Sequence, residues 1–222
     1  MCDDEVFPLP LFHGTSTYFL RDIIQHGIAS VSVHERLRSR DFLRQVWSLR
    51  LELAREDERV ELLAWPGSMI DHMIGDRVSA GGFNFRYGQF YCTAEERKAV
   101  AYATNAFGSE LITEGAKLLD EVRLVAPAKA DELLARYAEI ARCLAFDHEP
   151  VLLKFEGVER SAVLGEGGEQ FSPAEERIAQ FLSFEVRPTA RYSSVSVFEV
   201  VEVQFDSAGV ASYKLIPAKG AI

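Results

Sequence analysis

The chain predicts an α+β fold with a helical insertion, and three observations carry that prediction. Short apolar runs bounded by turn residues open the sequence and fill its last third, which is the mark of strands. Between them lie long stretches whose apolar residues recur at helical spacing. Helix-start signals, a Thr or Ser followed three residues on by Glu, stand at Thr93 and Ser172. The 222 residues suit one domain, 1–222, with a charged helical insertion at about 34–66.

In chain order, Leu9–Phe12 is a short apolar run and reads as the first strand, stopping at a polar turn, His13-Gly14-Thr15-Ser16-Thr17. Phe19, Leu20, Ile23 and Ile24 then recur as on one face of a helix over Tyr18–His26, and Gly27 supplies its stop. Ile28–Val33 reads as a second strand. From His34 to Ala64, seven Arg and seven acidic residues interleave with leucines, Val46 and Trp47, the pattern of a long amphipathic helix or helix pair with a solvated charged face. Pro66-Gly67 closes it.

Gly and aromatic residues crowd the loop Ala80–Gln89, which runs into a short strand, Phe90–Thr93. Thr93 and Glu96 form a capping box for a helix over Ala94–Asn105. Leu118–Ala145 is mostly helical, broken or restarted at Pro127. Pro150–Gly157 is a buried type of strand, Gly165–Gln170 a flexible loop, and Ser172-Pro173-Ala174-Glu175 opens a helix that ends near Ser183. Phe184–Val186, Val195–Phe205 and Ser212–Ile216 are strands, with a hairpin turn at Asp206–Gly209.

Composition narrows the function classes. With 24 Lys and Arg against 34 Asp and Glu, the net charge of −10 argues against holding duplex nucleic acid by phosphate neutralisation. No apolar run reaches the roughly 18–20 residues of a membrane span, and the acidic start Met1-Cys2-Asp3-Asp4-Glu5 lacks a secretory pattern. The expectation is a cytoplasmic chain, or one delivered into a target cell without a visible signal peptide. Cys2, Cys92 and Cys143 have neither CxxC spacing nor an even count, and His26, His34, His72 and His148 stand apart from any Cys, so no metal is expected.

Two segments carry the chemistry. The first is Leu11-Phe12-His13-Gly14-Thr15, continuing to Ile23-Ile24-Gln25-His26-Gly27-Ile28; an imidazole beside a glycine at a strand end can meet a ligand by side chain and by bare backbone. The second is Gly88-Gln89-Phe90-Tyr91-Cys92-Thr93, followed by Ala99-Val100-Ala101-Tyr102. Each alone is a weak signal, since a His after a strand and a buried Tyr pair are common structural features.

Together, in this order and at these spacings, they resemble the poly(ADP-ribose) polymerase-like ADP-ribosyltransferases, the H-Y-E branch of that fold. The match covers about a fifth of the chain. The resemblance implies split β-sheets around an NAD cleft, with NAD as substrate and no metal. It implies that His13 bonds the adenosine-side ribose, that Gly14 and Thr15 meet the nicotinamide carboxamide, and that Tyr91 and Tyr102 bracket the nicotinamide ring, which a tyrosine face suits because the ring is cationic.

Cleaving the nicotinamide–ribose bond develops an oxocarbenium ion, so a carboxylate beside that ribose stabilises charge present mainly in the transition state. The resemblance puts this Glu at the start of a late strand. Glu185, in Phe184-Glu185-Val186-Arg187-Pro188, fits best; Glu199, Glu202 and Glu169 are the alternatives, and Glu199 and Glu202 are expected on opposite sides of their strand. The catalytic set expected is therefore Glu185, His13 and Tyr91. Arg86 and Tyr87 could reach the NAD pyrophosphate.

The pattern departs from the family at Gln89, where polymerase-type members carry Gly, and in the roughly sixty residues between the two segments. Ser183, two before Glu185, does not fit the arginine-modifying branch. The expected activity is mono-ADP-ribosyl transfer to a macromolecular acceptor, a protein rather than a nucleic acid, in the setting of a bacterial or phage toxin or effector. An NAD glycohydrolase, or a non-catalytic nucleotide- or partner-binding module on the same fold, are the alternatives.

Overall fold

The structure is a computed structural model that describes residues 6–28, 32–56, 67–75, 89–170, 182–208 and 210–218. The described elements are β1 (Leu11–Ser16), α1 (Thr17–His26), α2 (Val33–Arg36), α3 (Ser39–Glu56), α4 (Gly67–Ile74), β2 (Tyr91–Thr93), α5 (Glu96–Ala103), α6 (Glu110–Val125), α7 (Pro127–Ala135), α8 (Ala138–Leu144), β3 (Pro150–Glu156), β4 (Val163–Leu164), β5 (Ser183–Val186), β6 (Ser194–Phe205) and β7 (Ala211–Pro217). They divide into two compact units: a sheet unit of residues 1–31, 89–108 and 148–222, and a helical unit of residues 32–88 and 109–147.

In the sheet unit all seven strands are antiparallel, in the order β4-β5-β2-β1-β3-β6-β7. The fold is thus α+β, as expected. The two sheets expected around a cleft are instead one hydrogen-bonded sheet of seven strands. β1 pairs with β3 along its whole length, from Leu11↔Phe155 to Ser16↔Pro150, but with β2 only at Phe12↔Thr93. One hydrogen-bonded order therefore runs through a narrow junction between β2 and β1.

The pleat sends alternate residues of β1 to opposite faces. Leu11 joins a core with Val151, Leu153, Phe155, Cys92 and Phe184, covered by Leu20 and Ile23 of α1. Phe12 joins a second core with Leu152, Val200 and the α5 residues Ala99, Val100 and Ala103. Tyr213 of β7 donates to Glu96 at 2.6 Å, tying α5 to the far side of the sheet.

Several local expectations shift. His13–Ser16 is strand, not turn, because β3 supplies pairing partners through Ser16. The stop of α1 at Gly27 holds as expected: its φ of 77° suits glycine and its N–H donates to the Ile23 carbonyl. Val33, expected in a strand, opens the short helix α2. α5 begins at Glu96, and Thr93 is no cap box: its Oγ accepts from Glu95 N–H and donates to the Leu182 carbonyl. The helix expected from Ser172 lies outside the described residues.

In the helical unit α3 packs on α6, where Phe42 lies so close to Gly115 that a Cβ there would come within 2.6 Å of the ring. Pro127 starts α7, satisfying the first-turn preference of proline. Most α3 charges are solvated, as Arg38 and Arg44 around Asp41 are. Arg50 is the exception: it is buried, bonds Glu121 at 2.7 Å and lies over the Trp47 ring. Among the described residues, no helix is long and apolar enough to cross a membrane.

Candidate functional site

The narrow junction between β1 and β2 lies between His13 on one strand and Tyr91 on the other. Past Phe12 the β1–β2 ladder stops, and His13 Nδ1 lies 2.7 Å from the Tyr91 carbonyl. A carbonyl only accepts, so Nδ1 carries the proton. The ring stacks on Phe90, centroids 4.1 Å apart at 26°. Burial lowers the His13 pKa to about 4, outweighing the carbonyl bond that raises it. At neutral pH the imidazole is therefore uncharged, and Nε2 presents a lone pair that can accept from a hydroxyl.

Tyr91 opens β2, and its cross-strand partner on β5 is Glu185. Directly opposed residues point to the same face, with Cβ atoms about 4.5–5.5 Å apart. Cys92 and Phe184, the neighbouring pair, point the other way into the first core, so Tyr91 and Glu185 share the face on which α5 packs. Glu185 is 5% exposed. The Tyr91 hydroxyl donates to the Glu166 carbonyl at 2.7 Å, so the β4–β5 loop lies against it.

The described part of that loop, Gly165–Gln170, forms a hydrogen-bonded turn. Gly165 N–H donates to Glu169 O, Gly168 N–H donates to Gly165 O, and Gly168 has a φ of 79° that glycine accommodates. Leu164 and Gln170 close it as a bridge pair.

Gly14 faces α5. A Cβ built on it would lie 1.9 Å from the Ala99 carbonyl oxygen and 2.5 Å from Ala103 N, so only glycine lets the helix settle this close. Tyr102 belongs to that helix and is 39% exposed. Thr15 is buried, paired with Val151 and on the face opposite Gly14. His13, Tyr91 and Glu185 thus stand on three neighbouring strands, with Tyr91 and Glu185 on the α5 face and the His13 ring on the opposite face against Phe90, bonded to the Tyr91 backbone. Gly14 ties the helix that carries Tyr102 to β1.

Of the alternative glutamates, Glu199 and Glu202 lie elsewhere, whereas Glu169 stands in the turn that lies against the Tyr91 hydroxyl. β6, which carries Glu199 and Glu202, is separated from β2 by β1 and β3. An irregularity between Val200 and Glu202 also overturns their expected orientation. Glu199 pairs with Ile216 and Glu202 with Lys214, residues two apart on β7, so both glutamates share one face. Glu169 closes the β4–β5 turn with its backbone. Gly88, Arg86 and Tyr87 lie outside the described residues.

Sequence reasoning missed Phe90 as the platform for His13 and Glu166 as the partner of Tyr91. Phe90 adjoins Tyr91 and was legible as an apolar neighbour; a backbone carbonyl such as that of Glu166 leaves no residue-type signal. Cys92 is buried and its thiol pKa is raised by burial, which makes it inert as a nucleophile. Among the described residues, no group of three or more His, Cys, Asp or Glu is placed to hold a metal ion. Compared with family models, curated proteins and solved structures, the chain matches none.

Proposed function

We propose that this chain is an NAD-cleaving mono-ADP-ribosyltransferase acting on a protein acceptor. The observation that carries the reading is the register Tyr91↔Glu185, which sets a phenol ring and a carboxylate side by side on one face of the sheet, with His13 of the next strand bonded to the Tyr91 carbonyl. These groups suit the chemistry. A neutral His13 accepts a ribose hydroxyl through Nε2, and the Tyr91 face offers a wall to a cationic pyridinium.

Glu185 stabilises the positive charge that develops at the ribose C1′ as the glycosidic bond breaks. Nicotinamide leaves with the bonding pair and becomes neutral. An acceptor nucleophile then bonds C1′ and gives up its proton. The acidic balance of the chain supports a protein acceptor over a nucleic acid.

The test is incubation of purified protein with NAD labelled in the adenylate moiety and a cell lysate, followed by protease or nuclease. Label in a protease-sensitive band, lost by about 100-fold or more in Glu185→Gln, is the expected outcome. Equal labelling by Glu185→Gln and wild type would sink the assignment of Glu185. Nuclease-sensitive label would move the acceptor to nucleic acid, and nicotinamide release without transfer would make the chain a glycohydrolase.

A binding module on the same fold is the second reading. It is favoured by the burial of Glu185 and by the β4–β5 loop resting on the Tyr91 hydroxyl. NAD binding without either product would establish it.

A further inference from the structure

Away from His13, at the other end of β1, β6 outruns its neighbour. β3 pairs with β6 only from Val151↔Glu199 to Glu156↔Ser194. Pro150 begins β3 and has no N–H to extend the ladder toward Val200. From Val201 to Phe205, β6 has β7 on one side and, among the described residues, no strand on the other. Val201 and Phe205 are exposed. The outer strand β7 is blunted as edges usually are, by Lys214 and Pro217, whereas this stretch of β6 carries neither Lys nor Pro.

Beside this edge lies a cavity of about 360 Å³, bounded by the C-terminal end of α5 and by β6. Phe107 and His148 make one side, rings edge to face at 5.3 Å, with Phe107 held at a φ of 64°. Val201 and Val203 make another, and Asn105 and Glu202 supply acceptors at the rim. Among the described residues, no Lys or Arg lines the cavity. The carbonyl end of α5 adds the negative pole of its helix dipole. A cavity with mixed apolar and polar walls, in which Glu202 is the charged side chain among the described lining residues, suits an aliphatic stem ending in a cation.

We propose that the β6 edge from Val201 to Phe205 docks an extended, basic segment of a partner protein by strand addition, with one Lys or Arg side chain entering the adjoining cavity. Backbone hydrogen bonds along the edge supply affinity, and the cavity reads one side chain, which is how strand addition gains specificity. Charge complementarity selects the partner: the β6–β7 hairpin holds Glu199, Glu202 and Asp206 against Lys214, on a chain of net charge −10. The proposal stands independently of the catalytic reading.

The experiment is fluorescence anisotropy of the full chain with a labelled peptide of alternating valine and lysine. Two comparisons run beside it: the same peptide methylated on alternate backbone amides, and the variants Glu202→Lys and Glu132→Lys, the second an exposed site on α7 with the same change of charge. The expected result is a loss of about tenfold or more in affinity for Glu202→Lys and for one of the two methylated sets, with Glu132→Lys close to wild type. Equal weakening by both variants would reduce the binding to general charge attraction and overturn the proposal. Insensitivity to methylation would overturn strand addition whatever the variants do, and so would absence of binding.

Discussion

His13 shows how one residue can be chemically defined by its surroundings. Its ring nitrogen is committed to the Tyr91 carbonyl, and burial keeps it neutral with a pKa of about 4. In the unfolded chain the same imidazole titrates near its ordinary value of about 6.5. As pH falls below that value the unfolded state takes up a proton that the folded state refuses until about pH 4, so stability is lost across this window and fully kept above it. The difference amounts to as much as about 3 kcal/mol. Urea unfolding near pH 7 and near pH 4.5 should show wild type losing clearly more stability than His13→Gln. Parallel losses would mean that His13 is not held neutral.

At the scale of elements, the seating of α5 on β1 depends on Gly14. In Gly14→Ala the new methyl would meet helix backbone at Ala99 and Ala103, which cannot swing aside as a flexible side chain would. We expect a loss of about 1–3 kcal/mol, the usual cost of overpacking, read as a lower melting temperature. Gly27→Ala is the useful contrast: nothing lies within 4 Å of its added Cβ, and its only cost is the φ of 77°, about 1 kcal/mol. A Gly14→Ala variant no less stable than Gly27→Ala would show that the helix has room to move.

Whole-molecule behaviour follows from the two compact units, each with its own buried residues. Leu119 in α6 is fully buried in the helical unit, and Leu153 in β3 is fully buried in the sheet unit. Truncating either to Ala should cost about 2–5 kcal/mol. Hydrogen exchange in Leu119→Ala should accelerate across α3 and α6–α8 while the β1–β3 ladder keeps its protection, as expected where units open separately. Uniform acceleration through both units would show one cooperative structure instead.

Most of what the sequence determined by itself was local chemistry. The α1 stop at Gly27, the α7 start at Pro127, the β6–β7 hairpin at Asp206 and the strand class of Phe184–Val186 all follow from residue-type rules, because φ preference, a missing N–H and apolar alternation act within a few positions. The choice of His13, Tyr91 and Glu185 as candidates was also legible, from spacing and from resemblance. Which of them pair across strands was not. That Glu185 stands across from Tyr91, while Glu199 and Glu202 lie beyond β1 and β3, is decided by strand order. The extension of β1 through His13–Ser16 is decided by β3, more than a hundred residues away, and Gly14's contact by a helix that only the folded chain brings there. Pairing between distant segments leaves no periodicity in either one, so strand register, the β6 irregularity and the end of the β1–β2 ladder beside His13 belong to the tertiary structure alone.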